Sequence, residues 1–310
     1  KMTKRREGGN TPEEGNTLRT ETRRIMMKNL LLVPFLALLF AVNAFAQDMP
    51  NENRDLKQAF MAGSPGLIVK GTGAAPSDRP LSQSQKKMLA LRAAKLVAIR
   101  ELAEVIKGIP ITGESIIKDM AVQSDTFRTT VDGFVQGAQV IKETYDQMNE
   151  EAVVYVAMPM TGTNGVIGTL LLPTIQNTPP AGIPYQAPPA VAAAAPVQNY
   201  DGLIMDVREQ PFKPALINRV LTKNNEVVYD PAKVAQNILV ERGAAEYTND
   251  VGKAKALLSE RGAANPLVIK AGGLVKGTDA EVSPDDATAI YRANQSANFL
   301  EGAKVVFVLK

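Results

Sequence analysis

The sequence predicts an α+β fold: two small helix-on-sheet domains joined by a Pro/Ala-rich linker, after a signal peptide. Three observations carry this. A long helix with a continuous small and apolar stripe follows one short strand and precedes two more. A second group of strands alternates with short helices that open on Asp-Pro or Ser-Pro. Between the groups, residues 161–199 hold Pro173, Pro179-Pro180, Pro184, Pro188-Pro189 and Pro196, with alanine from Ala192 to Ala195. Such a stretch is stiff and extended and cannot build a core. The domains are therefore expected at 50–160 and 200–310, with 161–199 as the linker. The apolar patch Val166 to Leu172 reads as local packing or one further strand before the linker.

In the first domain, Leu67, Ile68 and Val69 carry a strand over 66–73 that Gly71 and Gly73 end. Ser82, with Gln85 three residues on, forms a capping box that opens a long helix. Met88, Leu91, Ala94, Ala98, Leu102 and Val105 recur every three or four residues as its core-facing stripe, widened by Leu96, Ile99 and Ile106. Gly108 and Pro110 stop it. A shorter helix is expected over 122–133. Strands follow at Gly137 to Thr144 and Ala152 to Met160, separated by the polar turn Tyr145 to Glu150.

In the second domain, Gly202 to Val207 and Val227 to Tyr229 read as strands. Asp230-Pro231 is an N-cap with proline at the first helical position, and that helix is expected to reach Arg242. Another helix runs from Asn249-Asp250 to Arg261. Glu241-Arg242-Gly243-Ala244-Ala245 and Glu260-Arg261-Gly262-Ala263-Ala264 echo each other as helix stops, with a cation in the last turn and glycine in a left-handed position. Pro266 to Ala271 is a strand. Ser283-Pro284-Asp285-Asp286 opens a third helix, and Lys304 to Leu309 is an apolar closing strand expected at the sheet centre.

The N-terminal stretch supplies an address. Lys28-Asn29 precede an apolar run from Leu30 to Val42, followed by Ala44-Phe45-Ala46 and then Gln47. A basic start, a short apolar core and a small-x-small site make 26–46 a secretory signal peptide cleaved between Ala46 and Gln47. The run is too short to span a hydrocarbon core comfortably, although an uncleaved anchor is the alternative. Residues 1–25 read as an upstream extension. With Gln47, not cysteine, after the cleavage site, lipidation is not expected. Removing 1–46 leaves 27 of 35 basic and 28 of 32 acidic residues, so a nucleic-acid partner has no electrostatic support.

The chain contains no His, Cys or Trp, which excludes disulfides, thiolate and imidazole metal sites and triads with an imidazole base. Ser115 to Lys118 and Ser84 to Lys87 both match S-x-x-K without the companion motifs of Ser-Lys hydrolases. Gly71-Thr72-Gly73 lacks the third glycine of a dinucleotide fingerprint and reads as a strand-ending turn. Glu101 with Glu104, and Asp285 with Asp286, are carboxylate pairs explained by a solvated helix face and a helix start. No catalytic residue, cofactor or metal is expected.

The N-terminal domain resembles the small outer-membrane lipoproteins of Gram-negative bacteria first defined by a twenty-kilodalton Helicobacter antigen, and flagellar accessory domains of the FlgP and FlgT type. The residues that carry the resemblance are Gly71-x-Gly73-x-x-Pro76, Arg92-Ala93-Ala94 with Ala98, Arg100-Glu101-Leu102-Ala103-Glu104, Gly108, Gly133, Gln136-Gly137-Ala138 and the strand Val153 to Met160. The resemblance implies an envelope location and oligomer or ring formation, without catalysis. The expected function is an exported, non-catalytic cell-envelope protein at the outer membrane or flagellar basal body. It would be periplasmic or outer-membrane-associated, and act through self-association or envelope and flagellar partners. One alternative is a periplasmic glycan- or peptidoglycan-binding module using Asn265, Lys270, Asp285 and Asn294. The other is a carboxylate-based hydrolase.

Overall fold

The computed structural model describes residues 50–179, 181–188 and 199–310. The upstream extension, the signal-peptide reading with Ala44, Ala46 and Gln47, and linker residues 189–198 lie outside them. The described chain is α+β, in two helix-and-sheet modules.

The first module opens with α1 (Leu56–Phe60) and β1 (Leu67–Ala74). Next comes α2 (Gln83–Lys107), which Ser82 starts with the expected reciprocal capping box to Gln85. A small hairpin, β2 (Pro110–Thr112) and β3 (Ser115–Ile116), follows. The helix expected over 122–133 is instead two, α3 (Ile117–Gln123) and α4 (Asp125–Gln136). Ser124 ends the first, and its hydroxyl accepts from Phe127 N to cap the second. Strands β4 (Gln139–Asp146) and β5 (Glu151–Met158) complete an antiparallel sheet in the order β1-β5-β4.

Helix α2 lies across this sheet on Ala90, Ala94, Ala98, Leu102 and Ile106, each 0% exposed. Met88 and Leu96, assigned to that stripe from the sequence, are 61% and 51% exposed. The helix thus docks through every fourth residue, first alanine and then, toward its end, leucine and isoleucine. Gly71 and Gly73 do not end β1; they lie within it, opposite Val154 and Ala152 of β5. A Cβ on Gly71 would stand 2.2 Å from Ala94 O and 2.3 Å from Ala98 N, and one on Gly73 2.4 Å from Ala94 N. Glycine here admits the helix backbone.

Part of 161–199 is folded. Helix α5 (Val166–Asn177) carries the apolar patch, with Val166, Ile167, Leu170 and Leu171 buried and Pro173 inside it. It is neither strand nor spacer, because an apolar face of this size is more stable covered than extended in water. Further on, Tyr185 N donates to Val227 O and Val227 N to Ile183 O, so 183–185 lies along the second module as a strap.

That module contains β6 (Gly202–Asp206), β7 (Val220–Thr222), β8 (Val227–Tyr229), α6 (Gln236–Arg242), β9 (Glu246–Thr248), α7 (Val251–Glu260), β10 (Pro266–Lys270), β11 (Gly273–Val275), β12 (Asp279–Val282), α8 (Pro284–Ala297) and β13 (Val305–Val308). Asp230 does cap a proline-led turn, but that turn is a 3-10 segment, Pro231–Lys233, which stops before α6 begins. The four strands β10-β6-β13-β9 form a parallel sheet with β13 inside it, as its apolar run predicts. A second sheet, β11-β12-β7-β8, is mixed. One apolar cluster runs through both modules, from Ala59 to Leu309. The backbone joins them as well: Leu216 N and Ile217 N donate to Pro110 O and Ile111 O, and Ala62 N to Tyr247 O.

Candidate functional site

Two cavities meet at one buried arginine. Arg219 starts out just before β7, where Arg219 N donates to Asp279 Oδ1 at 2.9 Å and fixes β7 against the start of β12. Its side chain turns inward, and Nε donates to Asp230 Oδ2 at 3.0 Å with both side chains under a tenth exposed. Asp230 Oδ1 accepts from Ala232 N, so one carboxylate both caps the 3-10 turn and neutralises the guanidinium. Nη2 reaches Pro179 O at 3.4 Å. Burial pushes the Asp279 carboxyl above the usual carboxylate range, with Asp230 adding to the rise and the Arg219 backbone N–H opposing it.

On one side of Arg219 lies a cavity of about 520 Å³. Ile175, Ile217, Val227, Val228 and Leu300 make its apolar wall, with Tyr185, Tyr229 and Tyr291. Asn294, Lys233, Glu301 and Thr178 stand with Arg219 and Asp230 as its polar groups, the Thr178 hydroxyl donating to Thr174 O. Tyr185 and Tyr291 meet edge to face at 5.9 Å, and Tyr185 OH pairs with Thr288 Oγ1 at 2.7 Å. On the other side lies a hollow of about 410 Å³ that includes Glu114, Ser115, Lys276 and Asp279. There Lys276 pairs with Glu114, and Ser115 Oγ hydrogen-bonds to Thr112 Oγ1.

Most of the surrounding polar groups are spent on one another, although the buried Thr278 Oγ1 has no partner among the described residues. Asn218, 2% exposed, gives Nδ2 to Thr278 O and takes Ala215 N and Tyr247 OH on Oδ1. Arg261, beneath the parallel sheet, commits all three guanidinium nitrogens: Nε to Glu246, Nη1 to Ala303 O and Nη2 to Arg242 O. The two echoed Glu-Arg-Gly-Ala-Ala segments therefore differ. Both glycines have positive φ and stop helices, but Arg261 is a buried hub while Arg242 is exposed.

The other residues singled out from sequence fall elsewhere. Arg92 and Arg100 are exposed on α2, Ala93 is half-buried and Ala94 fully buried. Glu101 accepts from Arg54 and Glu104 pairs with Lys107, so these two carboxylates are tied to different cations. Gly108 and Gly137 end α2 and α4, and Ala138 N donates to Val135 O on the way into β4. Ser84 lies in the first turn of α2. Asp286 accepts from Ser283 at the start of α8, beside Asp285. Of the four proposed glycan contacts, Asn294 lines the larger cavity. Asn265 is tied to Asp201 and Asn199 before β10, and Lys270 pairs with Glu209. Arg219, Asn218, Asp279 and Tyr291 carried no sequence signal: they are single residues 60 or more positions apart in part, and no spacing rule joins them. Among the described residues no group of three or more acidic side chains could hold a metal ion.

No curated protein matches the chain. The span that holds Arg219, Asp230, Asp279 and both sheets of the second module, residues 202–310, is similar to the family described as the second domain of Treponema pallidum Tp0624.

Proposed function

We propose that the chain is an exported, non-catalytic component of the cell envelope that assembles with copies of itself or with outer-membrane or flagellar proteins. The observation that carries this is the edge of the first module. Among the described residues, the eight-residue strand β4 has β5 as its one strand neighbour. Val140 and Ile141 on it are 38% and 44% exposed. A long edge strand with exposed β-branched residues is a template for pairing with another chain. The signal-peptide pattern of 26–46 and the resemblance of 50–160 to envelope proteins support the address.

The test is native mass spectrometry of the chain from Gln47, with fractionation of cells expressing the full precursor. Oligomers and envelope-bound protein are expected. Val140→Lys with Ile141→Lys places charge on the edge and should shift the mass to monomer without loss of helical content. A wild-type chain that is strictly monomeric and found free of envelope fractions ends this reading.

A further inference from the structure

We propose that the cavity of about 520 Å³ beside Arg219 is a binding site for an uncharged, mainly apolar small molecule whose single polar end accepts hydrogen bonds. The volume lies in the range of small-molecule sites. Its wall combines aliphatic side chains, Ile217, Val228 and Leu300 among them, with the rings of Tyr185 and Tyr291, which offer broad contact at low entropic cost.

Charge decides against an ion. Asp230 already neutralises Arg219, and the remaining charged lining residues, Lys233 and Glu301, are of opposite sign. An anion would meet two carboxylates and a cation two bases, each at a desolvation cost. Hydrogen bonding then sets the polar end. Arg261 gives all three of its nitrogens to protein acceptors, whereas Arg219, 6% exposed, gives only Nε and Nη2. Among the described residues Nη1 has no acceptor, and it is not one of the sealed, unsatisfied atoms of the core, so it is a donor available on the cavity wall. Asn294 uses Oδ1 to hold Leu300 N, which leaves its Nδ2 as a second donor on the same cavity. Both residues line the cavity, and a carbonyl or ether oxygen on a neutral ligand would give their donors an acceptor there in place of water.

The wall is also already in place. The strap at 183–185 is fixed to β8 by two backbone hydrogen bonds of 2.9 and 2.8 Å. At Gly182 a Cβ would stand 2.4 Å from Asn225 O, so the strap lies close against the turn before β8. A preformed wall spares the ligand the cost of ordering it. Ala232, Lys233 and Glu301 are exposed at the mouth and give entry from solvent.

The test uses prodan, an uncharged naphthyl ketone whose emission shifts to the blue in apolar surroundings. One saturable site per chain is expected. Val228→Trp, at a half-buried wall position, should fill the cavity and weaken binding about tenfold or more, with circular dichroism unchanged. Leu96→Trp, on the exposed face of α2, should leave binding as it was. The anionic anilinonaphthalene sulfonate should bind more weakly than prodan. If V228W does not fold, photolabelling the wild-type chain with benzophenone decides: adducts are expected on the peptides holding Tyr291 and Leu300. Absence of saturable prodan binding, equal binding by folded V228W, tighter binding of the sulfonate, or adducts confined to other peptides would each overturn the site. None of these outcomes depends on oligomeric state.

Discussion

At the seam between α2 and β1 the nearest neighbours are main chain. Gly71 and Gly73 face the backbone of Ala94 and Ala98, and no polar side chain takes part. Around Arg219 the reverse holds: a guanidinium, two carboxylates and the carboxamide of Asn218 sit in the core, each tied to named acceptors or donors. The first region is specified by shape and tolerates nothing larger. The second is specified by matching hydrogen bonds and charges, and an unmatched partner is what it tolerates least. Two remedies for packing a small module are thus used side by side, and each fails in its own way when altered.

The largest effect is expected where a buried charge is stranded. Arg219→Met removes the cation from Asp230 and leaves that carboxylate 8% exposed without its partner. Loss of one member of a buried pair costs about 3–5 kcal/mol. Adding Asp230→Asn, which keeps an acceptor for Ala232 N, should recover part of the loss. Urea unfolding of the two single variants and the double variant reads the coupling. Additive losses would show that the pair is not what holds this region.

The shape-specified seam comes next. Gly71→Ala places a methyl where only 2.2 Å separates it from a backbone oxygen, and backbone cannot rotate aside. Overpacking of this kind costs roughly 1–3 kcal/mol or more. Gly133 lies exposed inside α4 with nothing within 4 Å of its would-be Cβ. There the same substitution should stabilise by about 0.5–1 kcal/mol, since alanine is the better helix former. Thermal melts of the two variants test it; melting temperatures that move the same way would contradict the distinction.

These two regions also differ in how far the sequence discloses them. The long helix, its Ser82–Gln85 cap, the strand triplet and the α+β class follow from short-range rules, because caps and apolar spacing act within a turn or two. What spacing leaves open is which face of a periodic helix is pressed home. Met88 and Leu96 fit the period as well as Ala90 does, and only the closeness of β1 selects the alanines. Helix α5 is hidden by Pro173 and by the prolines after it, although its apolar content exceeds what a spacer needs. The Arg219 cluster joins Pro179, Asp230 and Asp279 across three segments, and long-range pairing of polar residues leaves no periodic trace.

The smallest effect is a slope with pH and separates the regions by their chemistry. Burial holds the folded-state pKa of Asp279 above its unfolded value, with Arg219 and Lys276 pulling it down and Asp230 pushing it up. A raised carboxyl favours the folded state fully below the unfolded pKa, near 4, and that contribution is lost as pH rises through the folded value. Asp206 runs the other way: the hydrogen bond from Arg208 lowers its pKa, so its contribution is present above the unfolded pKa and lost on acidification. Asp279→Asn keeps an acceptor for Arg219 N and removes the titration. Relative to wild type, the variant should therefore gain stability progressively from about pH 4 toward neutrality. Urea midpoints for both chains across that range provide the measurement, and a difference that stays flat with pH would mean that Asp279 titrates as it would in water. The α2 seam has no titratable group at its contact, so Gly71→Ala should shift the midpoint by the same amount at every pH.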